Sequence, residues 1–199
     1  MLTLHHAPRS RSTGILWLLE ELEVPFDLQV VDIRRSVAEE YRRIHPHKKV
    51  PALQDGGTIV TERAAICLYL CEKFPEAGLA PPVGDAHRAA FLSGLVYCDA
   101  VIDPCIAVRA QGWEGDPSGL SFGRFEDMAR HLERQLEAGP YALGDTFTAL
   151  DTQLGCAVLW GLQLFSLLPD SPVFRAYLAR VTARPAFQRA MARDQQLAG

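Results

Sequence analysis

Three short stretches decide the fold: Leu2-Thr3-Leu4-His5, then Ile15-Leu16-Trp17-Leu18-Leu19-Glu20-Glu21-Leu22, then Phe26-Asp27-Leu28-Gln29-Val30-Val31. The first alternates apolar and polar residues and predicts a strand. In the second, Ile15, Leu16, Leu18, Leu19 and Leu22 fall on one helical face. Pro25 ends that helix. The third stretch alternates again and predicts a second strand. A strand, a helix and a strand in this order imply a parallel pair with a right-handed crossover.

The pattern continues outward from there. Residues 37–44 predict a short polar helix and Val50-Pro51-Ala52-Leu53-Gln54 a short strand. Gly56-Gly57 is a tight turn and Thr58-Ile59-Val60 a strand after it, which together make a hairpin. Residues 62–74 read as an apolar helix ended by Pro75. The order is β-α-β-α-β-β-α over 1–75. Pro75, Gly78, Pro81, Pro82 and Gly84 then fall within ten residues and mark a linker over 76–86.

The remaining residues, 87–199, read as all-helical. The long periodic segment 87–108 contains Pro104, which predicts a kink. Residues 111–119 form a Gly-rich loop, and 122–138 are amphipathic. Segments 172–182 and 185–197 each carry a proline in the first turn. The apolar stretch 154–168 is shorter than the roughly 18 to 20 residues of a membrane span and reads as a buried helix. The fold class is therefore α/β plus all-α.

Composition narrows the function classes. The 199 residues carry a net charge of -4 with no block of like charge, which argues against nucleic acid as a partner. The N-terminus lacks a basic region followed by an apolar stretch, so neither a signal peptide nor a membrane is expected. The odd count of five cysteines, without a CxxC, predicts buried thiols in a reducing, cytoplasmic setting. Neither histidine cluster has metal-ligand spacing, so no metal is expected.

Chemistry concentrates at three junctions. Ala7-Pro8-Arg9-Ser10-Arg11-Ser12 leads into the first helix. That N-terminus offers free N–H groups to an anion, and Ser10 or Ser12 a hydroxyl; either serine alone would equally serve as an N-cap. Lys49-Val50-Pro51-Ala52-Leu53 places a candidate cis bond before a strand. A cis Val50–Pro51 bond would present the Val50 backbone to a peptide-like ligand. Thr61-Glu62-Arg63-Ala64-Ala65-Ile66 opens another helix, with Glu62 suited to an ammonium and the Arg63 N–H to a carboxylate. A helix-dipole role for Glu62 and a solvated Arg63 remain the alternative. Together the three supply a thiolate anchor, a cationic anchor at Lys48 and Lys49, and a zwitterion anchor. That is the charge layout of glutathione.

At these residues the sequence resembles the cytosolic glutathione transferase family, most closely its bacterial branch, over essentially the whole chain. The segment from Ser10 to Leu22 resembles the family's first-helix signature. His45-Pro46-His47-Lys48-Lys49-Val50-Pro51-Ala52-Leu53 resembles Asn-Pro-x-Gly-Lys-Val-Pro-Ala-Leu. Thr61-Glu62-Arg63-Ala64-Ala65-Ile66 resembles the Glu-Ser-x-Ala-Ile turn. Leu143-Gly144-Asp145-Thr146-Phe147-Thr148-Ala149-Leu150-Asp151 resembles the Gly-Asp-x-Phe-[Ser/Thr]-x-x-Asp motif, and Arg184-Pro185-Ala186-Phe187 the start of the last helices.

The resemblance implies a thioredoxin-like glutathione-binding domain over 1–75 and a helical domain over 87–199. It implies glutathione as co-substrate, a hydrophobic electrophile as second substrate, and a homodimer. Ser10 would hold the thiolate, with Ser12 as the other candidate. Lys49 would meet the glycine carboxylate, Val50 before Pro51 the cysteinyl backbone, and Glu62 with Arg63 the γ-glutamyl group. Thr148 and Asp151 would form a structural capping box. The second substrate would meet Pro8, Arg9, Tyr97, Val101, Pro104, Cys105 and Trp113. The sequence departs from the family at Arg63, where serine is usual, and at Lys48, where glycine is usual. A positive φ at Lys48 would cost roughly 1–2 kcal/mol. Other glutathione-dependent reactions (isomerase, peroxidase, reductase) and a non-catalytic binding role stay open. The turn at 8–12 lacks the cysteine that mixed-disulfide chemistry would use.

Overall fold

The computed structural model describes residues 1–113 and 115–198. The chain divides into two compact units, Met1–Ala77 with Arg184–Gly199, and Gly78–Ala183.

The first unit is built on a four-stranded sheet in the order β2-β1-β3-β4, with β1 Leu2–His6, β2 Phe26–Val30, β3 Ala52–Asp55 and β4 Thr58–Thr61. β1 and β2 are parallel, as the crossover through α1 (Thr13–Leu22) requires. β3 runs antiparallel to β1 and β4 antiparallel to β3. The two-residue turn at Gly56-Gly57 uses a positive φ of 58° at Gly56. α2 spans Arg63–Lys73. The polar helix expected over 37–44 is instead a five-residue 3-10 turn, Glu39–Arg43, with no buried residue. Without an apolar face to bury, it does not propagate into an α-helix.

α1 differs from the one-faced helix that the periodicity describes. Trp17 and Glu20 are buried along with the leucines. The second face is covered by α8 (Pro185–Leu197), whose Ala186, Phe187 and Ala190 are buried. The Trp17 and Phe187 rings meet edge-on at 4.8 Å. Charges close the seam: Arg184 donates to both Glu21 carboxylate oxygens at 2.7 Å, and Arg189 and Arg193 reach Glu20 at 2.9 and 2.6 Å. The last helix therefore belongs with the first unit, not with the helical domain to which sequence order assigns it. Contiguity says nothing about which helix an apolar stripe and three arginines will find.

The second unit holds α3 (Arg88–Tyr97), α4 (Asp103–Ala110), α5 (Phe125–Glu137), α6 (Ala149–Leu159) and α7 (Pro172–Thr182). Between α3 and α4 the helix widens into a π segment, Cys98–Ile102, rather than simply kinking at Pro104. Proline lacks the N–H that would continue the ladder, and the wide turn absorbs the break. The whole run Arg88–Ala110 is long and apolar enough to cross a membrane by length and composition, with mean hydropathy 1.6. It packs against α6, the buried axis of the unit, in which every residue from Ala149 to Val158 is enclosed. Gly94 allows the close approach; a Cβ there would meet Leu150 at 2.6 Å. The apolar stretch 154–168 ends in a second π segment, Trp160–Leu164, and Leu164 and Phe165 are exposed rather than buried.

Candidate functional site

The sheet register brings the three chemical junctions to one end. His5 pairs with Ala52, and Ala52 pairs with Thr61. The turn leaving β1, the Val50–Pro51 bond entering β3 and the Glu62 turn leaving β4 therefore emerge side by side. The Val50–Pro51 bond is cis.

In the first turn the two serines have different fates. Ser12 is fully buried. Its Oγ accepts from the Ala7 N–H at 3.1 Å and lies 2.8 Å from both His6 Nδ1 and Ser10 Oγ, with the Ala7 carbonyl at 3.2 Å. Ser10 keeps an exposed edge of 8%. Its Oγ accepts from the Ser12 N–H at 3.2 Å. Ser12 Oγ thus has four polar neighbours and no exposure, whereas Ser10 reaches the surface. Neither serine makes a side-chain cap on α1.

The turn is pinned from α8. Asp194, 4% exposed, accepts from the Arg9 N–H at 3.1 Å and from Thr13 Oγ1 at 2.8 Å, and lies 3.2 Å from His6 Nε2. The Nε2 approach is off the hydrogen-bonding line, so it is an electrostatic contact. Burial pushes the Asp194 carboxyl up, but the His6, Thr13 and Arg9 contacts together outweigh it and hold the group below the ordinary carboxylate range. Arg9 adopts φ 54°, and the Arg34 guanidinium bonds the carbonyls of Pro8 and Arg9 at 3.0 Å.

At the second junction Lys48 has the positive φ, 53°, that its glycine-like position demands. Its ammonium is tied to the Val37 carbonyl at 3.0 Å and paired with Glu39, which leaves Lys49 as the exposed cation of the pair. The Tyr41 hydroxyl donates to the Lys49 carbonyl at 3.1 Å, and burial pushes the Tyr41 pKa up to about 12. At the third junction Glu62 is exposed, with φ 69° and ψ 127°, a conformation unusual for a non-glycine residue. Arg63 follows at the first turn of α2 and is only 7% exposed, so its side chain lies against protein rather than in solvent. His45, buried beside these groups, is lowered by burial, an effect that Glu62 partly offsets and His47 and Lys49 reinforce.

Residues expected to wall a second substrate line two cavities of the helical unit. Tyr97 lines a largely apolar cavity of about 530 Å³ with His87, Ser93, His131, Gln135 and Leu154. Cys105 and Trp113 line another of about 560 Å³ with Arg109, Phe122 and Phe125. The π segment Cys98–Ile102, which holds Val101 and precedes Pro104, separates the two in sequence, yet the Cys105 thiol is among the groups whose charge raises the Tyr97 hydroxyl, after burial. Burial raises the Cys105 thiol to about 11, so it stays protonated and donates to the Phe122 carbonyl. Pro8 and Arg9 stand in the first unit's turn. Thr148 and Asp151 form the expected box: Asp151 Oδ2 accepts from the Thr148 N–H at 2.9 Å. Among the described residues no cluster of His, Cys, Asp and Glu is placed to hold a metal ion.

Residues 4–78 match the family model described as glutathione S-transferase, N-terminal domain. An uncharacterized GST-like protein of Escherichia coli, YncG, is 31% identical over 81% of this chain and 82% of its own length. Glutathione S-transferase 3 of Schizosaccharomyces pombe is 30% identical over 76% of this chain, a match that spans 62% of that protein. The disulfide-bond oxidoreductase YfcG of Escherichia coli is 27% identical over 98% of this chain and 96% of its own. Among solved structures, a glutathione transferase from Methylococcus capsulatus superposes with TM-score 0.84 at 30% identity, covering 98% of this chain and all of that one. A sphingomonad glutathione S-transferase complexed with glutathione superposes at 0.82 and 25% identity over 97% and 98% of the two chains. A thioredoxin-like sheet unit joined to an all-helical one is the architecture these proteins share. This chain belongs to the glutathione S-transferase family.

His6, Asp194 and His45 stand buried beside these junctions, and the sequence reading gave them no role. His45 stands in the segment resembling Asn-Pro-x-Gly-Lys-Val-Pro, where a polar residue at the asparagine position was a usable signal. Nothing in spacing joins His6 to a residue 188 positions later.

Proposed function

We propose that the protein is a glutathione transferase that holds glutathione as its thiolate and presents it to a hydrophobic electrophile. The observation that carries this reading is the convergence of Ser10, the cis Val50–Pro51 bond and the Glu62 turn at one end of the sheet. Ser10 donates to the sulfur at the N-terminus of α1, whose unpaired N–H groups favour an anion. Lys49 meets the glycine carboxylate, and Val50 pairs its backbone with the cysteinyl residue. Glu62 holds the α-ammonium while the Arg63 N–H meets the γ-glutamyl carboxylate. Chemistry then follows from proximity and a lowered thiol pKa, with no covalent enzyme intermediate.

A disulfide oxidoreductase is the second reading, supported by the end-to-end match to YfcG. Weighing against a mixed-disulfide route, the turn at 8–12 carries serines and no cysteine, and all five thiols are buried. Leu92 and Val96 stand exposed on α3, 37% and 56%, an apolar stripe that supports the homodimer expected for the family. The buried free thiols suit a cytoplasmic, reducing setting.

Calorimetric titration with reduced glutathione tests the site. Binding in the micromolar to millimolar range, lost in Glu62→Ala, is the expected result. A flat titration with no thermal stabilisation at high glutathione would reject the site and leave a binding role on this fold.

A further inference from the structure

His6 and Asp194 lie behind the serines, buried, and nothing above gives them a chemical task. They complete an unbroken line: Ser10 Oγ to Ser12 Oγ at 2.8 Å, Ser12 Oγ to His6 Nδ1 at 2.8 Å, His6 Nε2 to Asp194 Oδ1 at 3.2 Å. Only Ser10 has any exposure worth the name; Ser12 and His6 have none.

The direction of the hydrogens matters. With a neutral ring, the carboxylate beside Nε2 selects the tautomer that carries its proton there, and Nδ1 accepts. Ser12 then donates to Nδ1, and Ser10 donates to Ser12. In that state the Ser10 hydrogen points inward and is not available to a sulfur at the surface. For Ser10 to donate outward and still be bonded by Ser12, the Ser12 hydrogen must turn from Nδ1 toward Ser10, and a proton on Nδ1 then fills the bond that Ser12 gives up.

We propose that Ser10, Ser12 and His6 form a proton relay for the glutathione thiol, with Asp194 of the C-terminal helix as the counter-charge of the imidazolium that results; this rests on the thiolate reading of the site. The thiol gives its proton to Ser10 Oγ, Ser10 gives its own to Ser12 Oγ, and Ser12 gives its own to His6 Nδ1. One proton moves from sulfur to imidazole, no electrons transfer, and no co-reactant is needed. Afterwards His6 donates to Ser12, Ser12 to Ser10, and Ser10 to the thiolate. The surroundings suit this. Nε2 is enclosed without an aligned hydrogen bond, yet stands at ion-pair distance from Asp194. Asp194 is itself fixed by Arg9 and Thr13, so it is pre-placed for the charge. The charged group facing His6 is Asp194 from α8. Ser12, the residue before α1, and Thr13 at its start contribute hydroxyls, Val31 just after β2 gives its backbone N–H to the His6 carbonyl, and Arg34 covers the outer side of the turn. His6 and Asp194 act through the serines, and neither touches the thiol.

The test is ultraviolet difference titration of enzyme-bound glutathione thiolate against pH, with calorimetric glutathione affinity measured alongside. His6→Asn leaves a polar group near the place of Nδ1 but cannot carry the proton. Asp194→Asn keeps an acceptor for Arg9 and Thr13 while removing the charge. Both are expected to move the thiol titration upward by about one pH unit, a tenfold loss of thiolate between the two midpoints, with affinity for the protonated thiol retained. Ser12→Ala should give the same shift, and Ser12→Ala with His6→Asn no more than either alone, because each breaks the same line. Midpoints that coincide with the parent's in all three variants, or shifts that add, would make the network scaffolding and overturn the relay. A parent that binds no glutathione overturns the thiolate reading as well. It is told apart because the calorimetric signal is absent before any variant is made.

Discussion

Two buried aspartates, one in each unit, do similar structural work by opposite electrostatics. Asp151 sits in the helical unit and accepts from the Ala142 N–H at 2.8 Å, the Thr148 N–H at 2.9 Å and the Tyr177 hydroxyl at 3.0 Å. No cation is among these partners. Burial therefore dominates and raises its carboxyl above the ordinary range, although the four hydrogen-bond contacts pull the other way. Asp194 has three polar partners, one of them a histidine ring, and the balance falls to the lowered side. The difference teaches that a capping acid needs only dipoles, whereas an acid kept ionised inside a protein needs a partner that can carry charge. The first arrangement stabilises a fold, and the second leaves a group ready to neutralise a proton.

The largest expected effect is Asp151→Ala. It strands two backbone N–H groups and a fully buried tyrosine hydroxyl, and we expect about 3–4 kcal/mol of lost stability in chemical denaturation. A loss under about 1 kcal/mol would mean that the loop at 138–147 rearranges to satisfy these donors. Asp194→Ala should cost less, about 2 kcal/mol, because it frees one N–H and one hydroxyl at a turn that water can reach through Arg9. Equal losses would break the distinction between a core cap and a site clasp.

Next comes the α1–α8 seam that delivers Asp194 to the turn. Arg184 is 30% exposed at its side chain and Glu21 6%, so the pair is half-screened, and its coupling is expected near 1 kcal/mol in a double-mutant cycle of Glu21→Gln and Arg184→Met. If the seam positions Asp194 and the proposed relay operates, either single change should also raise the titration midpoint of bound glutathione thiol without altering glutathione affinity. An unchanged midpoint would show that Asp194 reaches the turn without help from Arg184.

These elements also mark how much was legible beforehand. The hairpin at Gly56-Gly57, the cis bond and the Thr148–Asp151 box are local. Each depends on residues within a few positions of one another, so spacing carries them. The resemblance placed Ser10 ahead of Ser12, but spacing alone did not separate two small polar residues in one turn, and their burial differs. The division of the chain was hidden for a related reason. α8 follows α7 directly and has the helical pattern of its neighbours, yet Phe187 and three arginines commit it to α1. The His6–Asp194 contact depends on that commitment and became visible only after it.

The smallest effect is the most direct check of the comparison, because the two acids must respond to pH with opposite sign. A carboxyl lowered in the folded protein contributes stability that is present above its unfolded value and lost as pH falls through the folded one. For Asp194 the parent should therefore lose ground to Asp194→Asn on acidification below the ordinary value of 3.8. A carboxyl raised in the folded protein takes its proton before the unfolded chain does. For Asp151 the parent should gain on Asp151→Asn as pH falls toward 3.8 from above, and the gap should then level off. Neither slope can exceed about 1.4 kcal/mol per pH unit, the limit for one proton. Urea midpoints for the parent and both asparagine variants, taken in steps from neutral to acid pH, are sufficient to see this. Slopes of the same sign would mean that His6 does not act as a charged partner to Asp194, and would remove the electrostatic contrast on which the relay depends.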